Sequence, residues 1–108
     1  MRYEGEVAVA VSINVVQEHS LGRMEAKRRV DEKISAMIIN HSDWGISGSW
    51  TDNVYSFKLS SGVPAGSSGT ITVRNNSVDL ALSVPDAYAG YTDIIKSKAQ
   101  QELANTLG

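Results

Sequence analysis

The sequence predicts an α+β domain in the order β-α-β-β-β-β-α: an antiparallel sheet with two helices packed on one face. Three observations predict it. Val7, Val9, Val11, Ile13 and Val15 alternate with Ala8, Ala10, Ser12 and Asn14, the period of two expected of a half-buried strand. Apolar residues recur twice at helical spacing, once after residue 22 and once towards the C-terminus. Between those stretches lie four short apolar runs separated by Asp, Asn, Ser and Gly, the composition of strands joined by turns. At 108 residues the chain is expected to form one domain over 1–108. Such a domain can bury roughly 65% of the surface its unfolded form exposes.

The first strand is expected to reach from Glu6 to Glu18, long enough that a bend or bulge is expected in it. Ser20 is the expected N-cap of the first helix. Arg23 at the third following position rules out a capping box with glutamate. Ala26, Val30, Ile34, Met37 and Ile38 form that helix's buried stripe, and Asn40-His41-Ser42-Asp43 ends it. Trp44, Ile46 and Trp50 are then expected on one face of the next strand. Asp52-Asn53 makes a tight turn, and Tyr55, Phe57 and Leu59 line the strand after it. Ser60 to Gly69 reads as a loop of small residues. Ile71 and Val73 mark the next strand, Asn75-Asn76-Ser77 a turn, and Val78, Leu80, Leu82 and Val84 the last strand. Pro85-Asp86 opens the final connection, and Gly90 lies before or just inside the last helix. Tyr91, Ile95, Ala99, Leu103 and Leu107 recur every four residues along that helix, with Ile94 widening the stripe. The first strand's odd positions should lie under the helices, facing Val30, Ile34, Ile95 and Leu103.

Composition excludes several function classes. The chain has no cysteine, which removes disulfides, thiolate metal sites and thiol catalysis together and suits a reducing compartment. A net charge of −2 and a pI near 5.6 do not favour nonspecific nucleic-acid binding. No apolar run approaches the roughly 20 residues of a membrane span. Met1 to Glu6 lacks the apolar core of a secretory signal. A cytoplasmic location is therefore expected.

Candidate chemistry is sparse. His19 and His41 bracket the first helix, which holds them about 30 Å apart at 1.5 Å per residue, too far to share a metal within one subunit. Asp43, Asp52, Asp79, Asp86 and Asp93 are scattered singly, with no acid–base pair among them. The glycine-rich stretch Ser61 to Gly69 lacks the Gly-Lys-Ser/Thr ending of a phosphate loop, and no Gly-x-Ser-x-Gly elbow occurs. No catalytic, cofactor or metal-binding residue is assigned, and no enzyme activity is expected. Half of the ten basic residues, Arg23, Lys27, Arg28, Arg29 and Lys33, sit in the first helix with Glu25, Asp31 and Glu32. Five cations against three anions leave that segment at +2. It reads either as a solvated face laced with local ion pairs or as a docking surface for an acidic partner or anionic surface. Trp44 and Trp50 read as core or as a stacking platform.

These residues carry a resemblance. His19-Ser20-Leu21-Gly22, then Glu25-Ala26-Lys27-Arg28-Arg29-Val30, Trp50 with Phe57 seven residues on, Ser61-Gly62-Val63, Gly69, the Ile71/Val73 strand, and Tyr91, Ile94, Leu103 and Leu107 in the last helix resemble the polyhydroxyalkanoic acid system protein family over about 90 residues. The chain departs from the family at Asp52, where glycine is usual, and in an apparent insertion from Pro64 to Ser68. The resemblance implies no catalytic residues. It implies association with polyester granules or their proteins, through an apolar and partly basic surface. Two alternatives stand beside it. One is a structural or assembly module, as in a phage virion, that self-associates through Val7 to Val15 or the Ser60 to Gly69 loop. The other is a carrier of a small apolar ligand, with a cavity lined by Trp44, Tyr55 and Tyr91.

Overall fold

The computed structural model describes residues 10–61 and 66–108. Five strands, β1 (Ala10–Glu18), β2 (Ile46–Thr51), β3 (Val54–Leu59), β4 (Ser68–Val73) and β5 (Ser77–Pro85), form one antiparallel sheet in the order β1-β5-β4-β3-β2. Helix α1 (Arg23–Asn40) follows β1 and helix α2 (Thr92–Leu107) closes the chain. Short 3-10 turns at Ser42–Trp44 and Asp86–Tyr91 lead out of α1 and into α2. This is the α+β order expected from the sequence.

The register shows which face is inner. Val15, Leu80, Ile71, Tyr55 and Trp50 form one row across all five strands. Ile13, Leu82, Gly69, Phe57 and Gly48 form the next. Both helices lie over these rows. Ala26, Val30 and Ile34 of α1 and Leu103 and Leu107 of α2 are buried with Ile13, Val15, Tyr55, Val73, Val78 and Val84, and Ile95 and Ala99 pack against them. On the opposite face Ser12, Asn14, Ser47, Ser49, Ser56 and Ser68 are exposed.

Phe57 has a glycine as its partner on either side, Gly48 on β2 and Gly69 on β4. A Cβ on Gly69 would meet the Ala81 carbonyl and would stand 3.0 Å from the tip of the Phe57 ring. A Cβ on Gly48 would meet the Ser56 carbonyl and the Tyr55 and Phe57 side chains. The two bare positions admit an aromatic row in which Trp50, Tyr55 and Phe57 follow one another at 5.3 and 6.2 Å between centroids.

Several expectations are corrected. Ser20 is not the N-cap: α1 begins at Arg23 behind Gly22, whose φ of 83° turns the chain, and no side chain caps the helix. The His19 ring takes the local donor instead, its Nδ1 accepting the Leu21 N–H at 3.1 Å. Trp44 is not on β2. It stacks on His41 at 3.8 Å, and left-handed Gly45 separates it from Ile46. The paired run from Ala10↔Pro85 to Glu18↔Ser77 is continuous, so the described part of the strand carries no bulge. Val11 is half-buried whereas Ile13 and Val15 are buried; Val7 and Val9 lie outside the described residues. Ser68 and Gly69 belong to β4. The loop before them is closed by Leu59 N–H to Ser67 and Gly66 N–H to Leu59, both 2.9 Å. Ile38, Tyr91 and Ile94 are exposed rather than in the stripe. Ile38 is a hundred-degree step past half-buried Met37 in the last turn of α1. Tyr91 precedes the helix, in a 3-10 segment whose tighter winding breaks the phase. Ile94 is a hundred-degree step from Ile95 around α2.

Candidate docking surface

The five basic residues of α1 are brought onto one helix, and most are already paired. Arg28 bonds Glu25 at 2.5 Å and Glu32 at 2.7 Å, and Arg29 bonds Glu25 at 2.9 Å. Glu25 is thereby held down at about 2, first by the Arg28 hydrogen bond and then by that of Arg29. Arg28 is pushed further above its usual range by Glu25. Lys33 reaches across to Glu102 of α2 at 2.6 Å, which lowers the Glu102 carboxyl below its usual value. Lys27 donates to the Asp52 carbonyl at 2.7 Å and lies 4.8 Å from the centroid of the Trp50 ring. Trp50 in turn donates to Asp31 at 2.9 Å. Neither Arg23 nor Lys27 has an ion pair among the described residues. Three of the five cations are therefore closed in ion pairs, and the groove lined by Arg28, Arg29, Glu32, Lys33, Asn105 and Thr106 holds both signs of charge.

The motif His19-Ser20-Leu21-Gly22 builds the corner from β1 to α1. The His19 backbone N–H donates to Asn76 at 2.9 Å. With Nδ1 accepting from Leu21, Nε2 carries the proton and donates to the Arg74 carbonyl at 3.2 Å. One imidazole thus ties the entry of the helix to the β4–β5 turn. Nothing lies within 4 Å of a Cβ at Gly22, so glycine is there for its φ and not for room. Ser20 is exposed and Leu21 is half-buried.

The two histidines stand at opposite ends of α1. Asp79 bonds Arg74 at 3.1 Å and Asp52 holds the turn at φ 54°. Among the described residues no group of His, Asp and Glu is placed to hold a metal ion. Trp44, Tyr55 and Tyr91 do not share a cavity: Tyr55 is packed between Trp50 and Phe57, Trp44 lies on His41, and Tyr91 is exposed.

The feature that the periodicity missed is apolar. Lys33–Glu102 and the groove joining residues 28–33 to 105–106 make the helices antiparallel. The end of α1 and the start of α2 therefore lie at the same end of the molecule. There Ile38, Ile39, Tyr91 and Ile94 are 39%, 76%, 58% and 60% exposed. Two doublets signalled this: Ile38-Ile39 and Ile94-Ile95 cannot each put both members on one helical face.

The family model described as "Putative polyhydroxyalkanoic acid system protein" matches residues 13–107. The chain belongs to this family. As a polyhydroxyalkanoic acid system protein it has the matched stretch running from the middle of β1 to the last residue of α2, so it takes in the His19 corner, the paired basic helix and the exposed apolar end. No curated protein and no solved structure matches the chain. Among the described residues no helix is long and apolar enough to cross a membrane.

Proposed function

We propose that this polyhydroxyalkanoic acid system protein is a non-enzymatic accessory factor that docks on the polyester granule surface in the cytoplasm, using the end of the helical layer. One observation carries the reading: four large apolar side chains, Ile38, Ile39, Tyr91 and Ile94, stand exposed where α1 ends and α2 begins. Exposed apolar groups collected in this way mark interaction surfaces. Covering one such side chain contributes about 1.5–3 kcal/mol. Exposed cation contacts are individually weak and are screened by salt, and here the cations are mostly spent on Glu25, Glu32 and Glu102. Apolar contact therefore dominates, and the basic face of α1 guides the approach. A polyester surface, apolar with ester carbonyls, suits an aliphatic cluster bordered by a tyrosine hydroxyl.

Co-sedimentation with isolated polyester granules tests this. The wild-type chain is expected in the granule fraction, and Ile39→Ser with Ile94→Ser is expected to release it. Met24→Ser, which alters an 89% exposed residue at the other end of α1, is expected to leave binding unchanged. A wild-type protein that stays in the supernatant at low salt refutes the granule reading.

A further inference from the structure

We infer that β1 is a seam at which a second copy of this chain binds, pairing antiparallel to build one continuous sheet of twice five strands. The argument starts from one backbone bond. In an antiparallel ladder, opposed residues alternate between pairs that exchange hydrogen bonds and pairs that do not. His19 N–H bonds the Asn76 carbonyl, one step beyond Glu18↔Ser77 in the β1–β5 register. The odd residues of β1 therefore bond to β5. The N–H and C=O groups of Ser12, Asn14, Val16 and Glu18 point away from the sheet, where β1 has no described neighbour. The Glu18 carbonyl is closed by the Gln17 side-chain amide at 3.1 Å. Among the described residues the open stretch is thus Ala10 to Val16.

Edge strands of monomers are protected by lysine, proline, bulges or shortness. β1 has none of these. From Ala10 to Gln17 it holds no charged residue, no proline and no glycine, its register is unbroken, and it is nine residues long. The other edge, β2, is six residues with Gly48 inside it.

The open stretch is complementary to itself, which selects a second copy as the occupant. With a twofold axis at Ile13, Ala10 is opposite Val16 and Ser12 opposite Asn14. These are the residues whose backbone groups face outward, so donors and acceptors match throughout. Ile13 meets its own twin in a non-bonded pair, where side chains stand closest, and Val11 meets Val15. Ile13 and Val15 are 4% and 3% exposed under the helices, so the inner face continues across the seam without a polar step. Glu18 falls outside it, and no like charges oppose. The axis is perpendicular to the sheet, which puts both pairs of helices on the same side. This interface is isologous and closed.

Solution mass across a concentration series tests the seam, with charge pairs written on the outer face at Ser12 and Asn14, both exposed. The wild-type chain is expected to rise from 11.6 kDa to twice that and stop. Ser12→Lys with Asn14→Lys puts lysine opposite lysine and is expected to hold the mass at one chain, with an unchanged circular dichroism spectrum. Ser12→Glu with Asn14→Lys puts opposite charges across the seam twice and is expected to restore the doubled mass. A wild-type chain that stays single, a double-lysine variant that still doubles, a glutamate–lysine variant that does not, or a mass that grows without limit each overturns the proposal.

Discussion

Trp50 donates its indole N–H to the Asp31 carboxylate across 2.9 Å, and this bond ties the β2–β3 hairpin to the middle of α1. Lys27, one helical turn earlier, lies 4.8 Å from the centroid of the same ring and bonds the backbone of the same turn at Asp52. The sheet edge farthest from β1 is thus held under α1 by an aromatic side chain gripped by a cation and an anion.

Trp50→Ala removes a half-buried ring together with its bond, and is expected to cost about 2–3 kcal/mol of folding stability. Asp31→Ala leaves the ring in place and is expected to cost about 1 kcal/mol. Urea unfolding of the two variants checks the ratio. Equal losses would mean that the ring contributes nothing beyond its hydrogen bond.

Along β1 the burial is graded, and stability should follow it. Ile13→Asp places an unpaired charge at a 4% exposed site and is expected to cost about 3–5 kcal/mol. Val11→Asp, at a half-buried position, is expected to cost less. Thermal melts of both variants read the order, and a larger loss at Val11 contradicts the burial gradient along the inner face.

Asp52 holds φ at 54°, a conformation that costs an L-residue about 1–2 kcal/mol. Asp52→Gly removes that cost and adds the entropy of a freer unfolded chain. The net expectation is a gain of roughly 0.5 kcal/mol. The Lys27 contact survives because it is made to the backbone carbonyl. A lower melting temperature would show that the Asp52 side chain itself stabilises the turn.

Gly69→Ala drives a methyl group towards the Ala81 carbonyl and the Phe57 ring. Overpacking of this kind is expected to cost about 1–3 kcal/mol, read from the melting temperature. A neutral result would mean that the two strands can part without loss.

The pH dependence follows from Glu25 and Glu102. Both carboxyls titrate lower in the folded chain, Glu25 near 2 instead of its ordinary 4.5. The unfolded state binds more protons through that window, so stability from these pairs is full above about 4.5 and is lost as pH falls towards 2. The pairs are exposed, so the slope should be shallow. Urea midpoints across this range are expected to decline, and Glu25→Gln is expected to flatten the decline. An unchanged slope in that variant would remove the Arg28 and Arg29 pairing as its cause.

Much of the fold is legible from local pattern, and the reason is periodicity. Valine and isoleucine at every second position of β1, Ala26-Val30-Ile34 at helical spacing and the Asp52-Asn53 turn each encode their own geometry within a few residues. The order of elements and the inner face follow from them, as does the membership that the His19 to Gly22 corner announces. Cysteine content and the lack of paired histidines narrow the chemistry in the same local way. The fate of individual side chains does not follow from pattern, because it depends on what lies opposite. Ser20 looks like a cap, but the His19 ring reached the nearby N–H first. Trp44 looks like a strand residue, but His41 gave it a stacking partner before the strand began. The basic row of α1 looks open, but one of its partners, Glu102, comes from the other end of the chain. Ile39 and Ile94 count as hydrophobic in any pattern, yet the antiparallel packing of two helices left them facing water at the same end. Secondary structure is a matter of neighbours in sequence; exposure and pairing are set by neighbours in space.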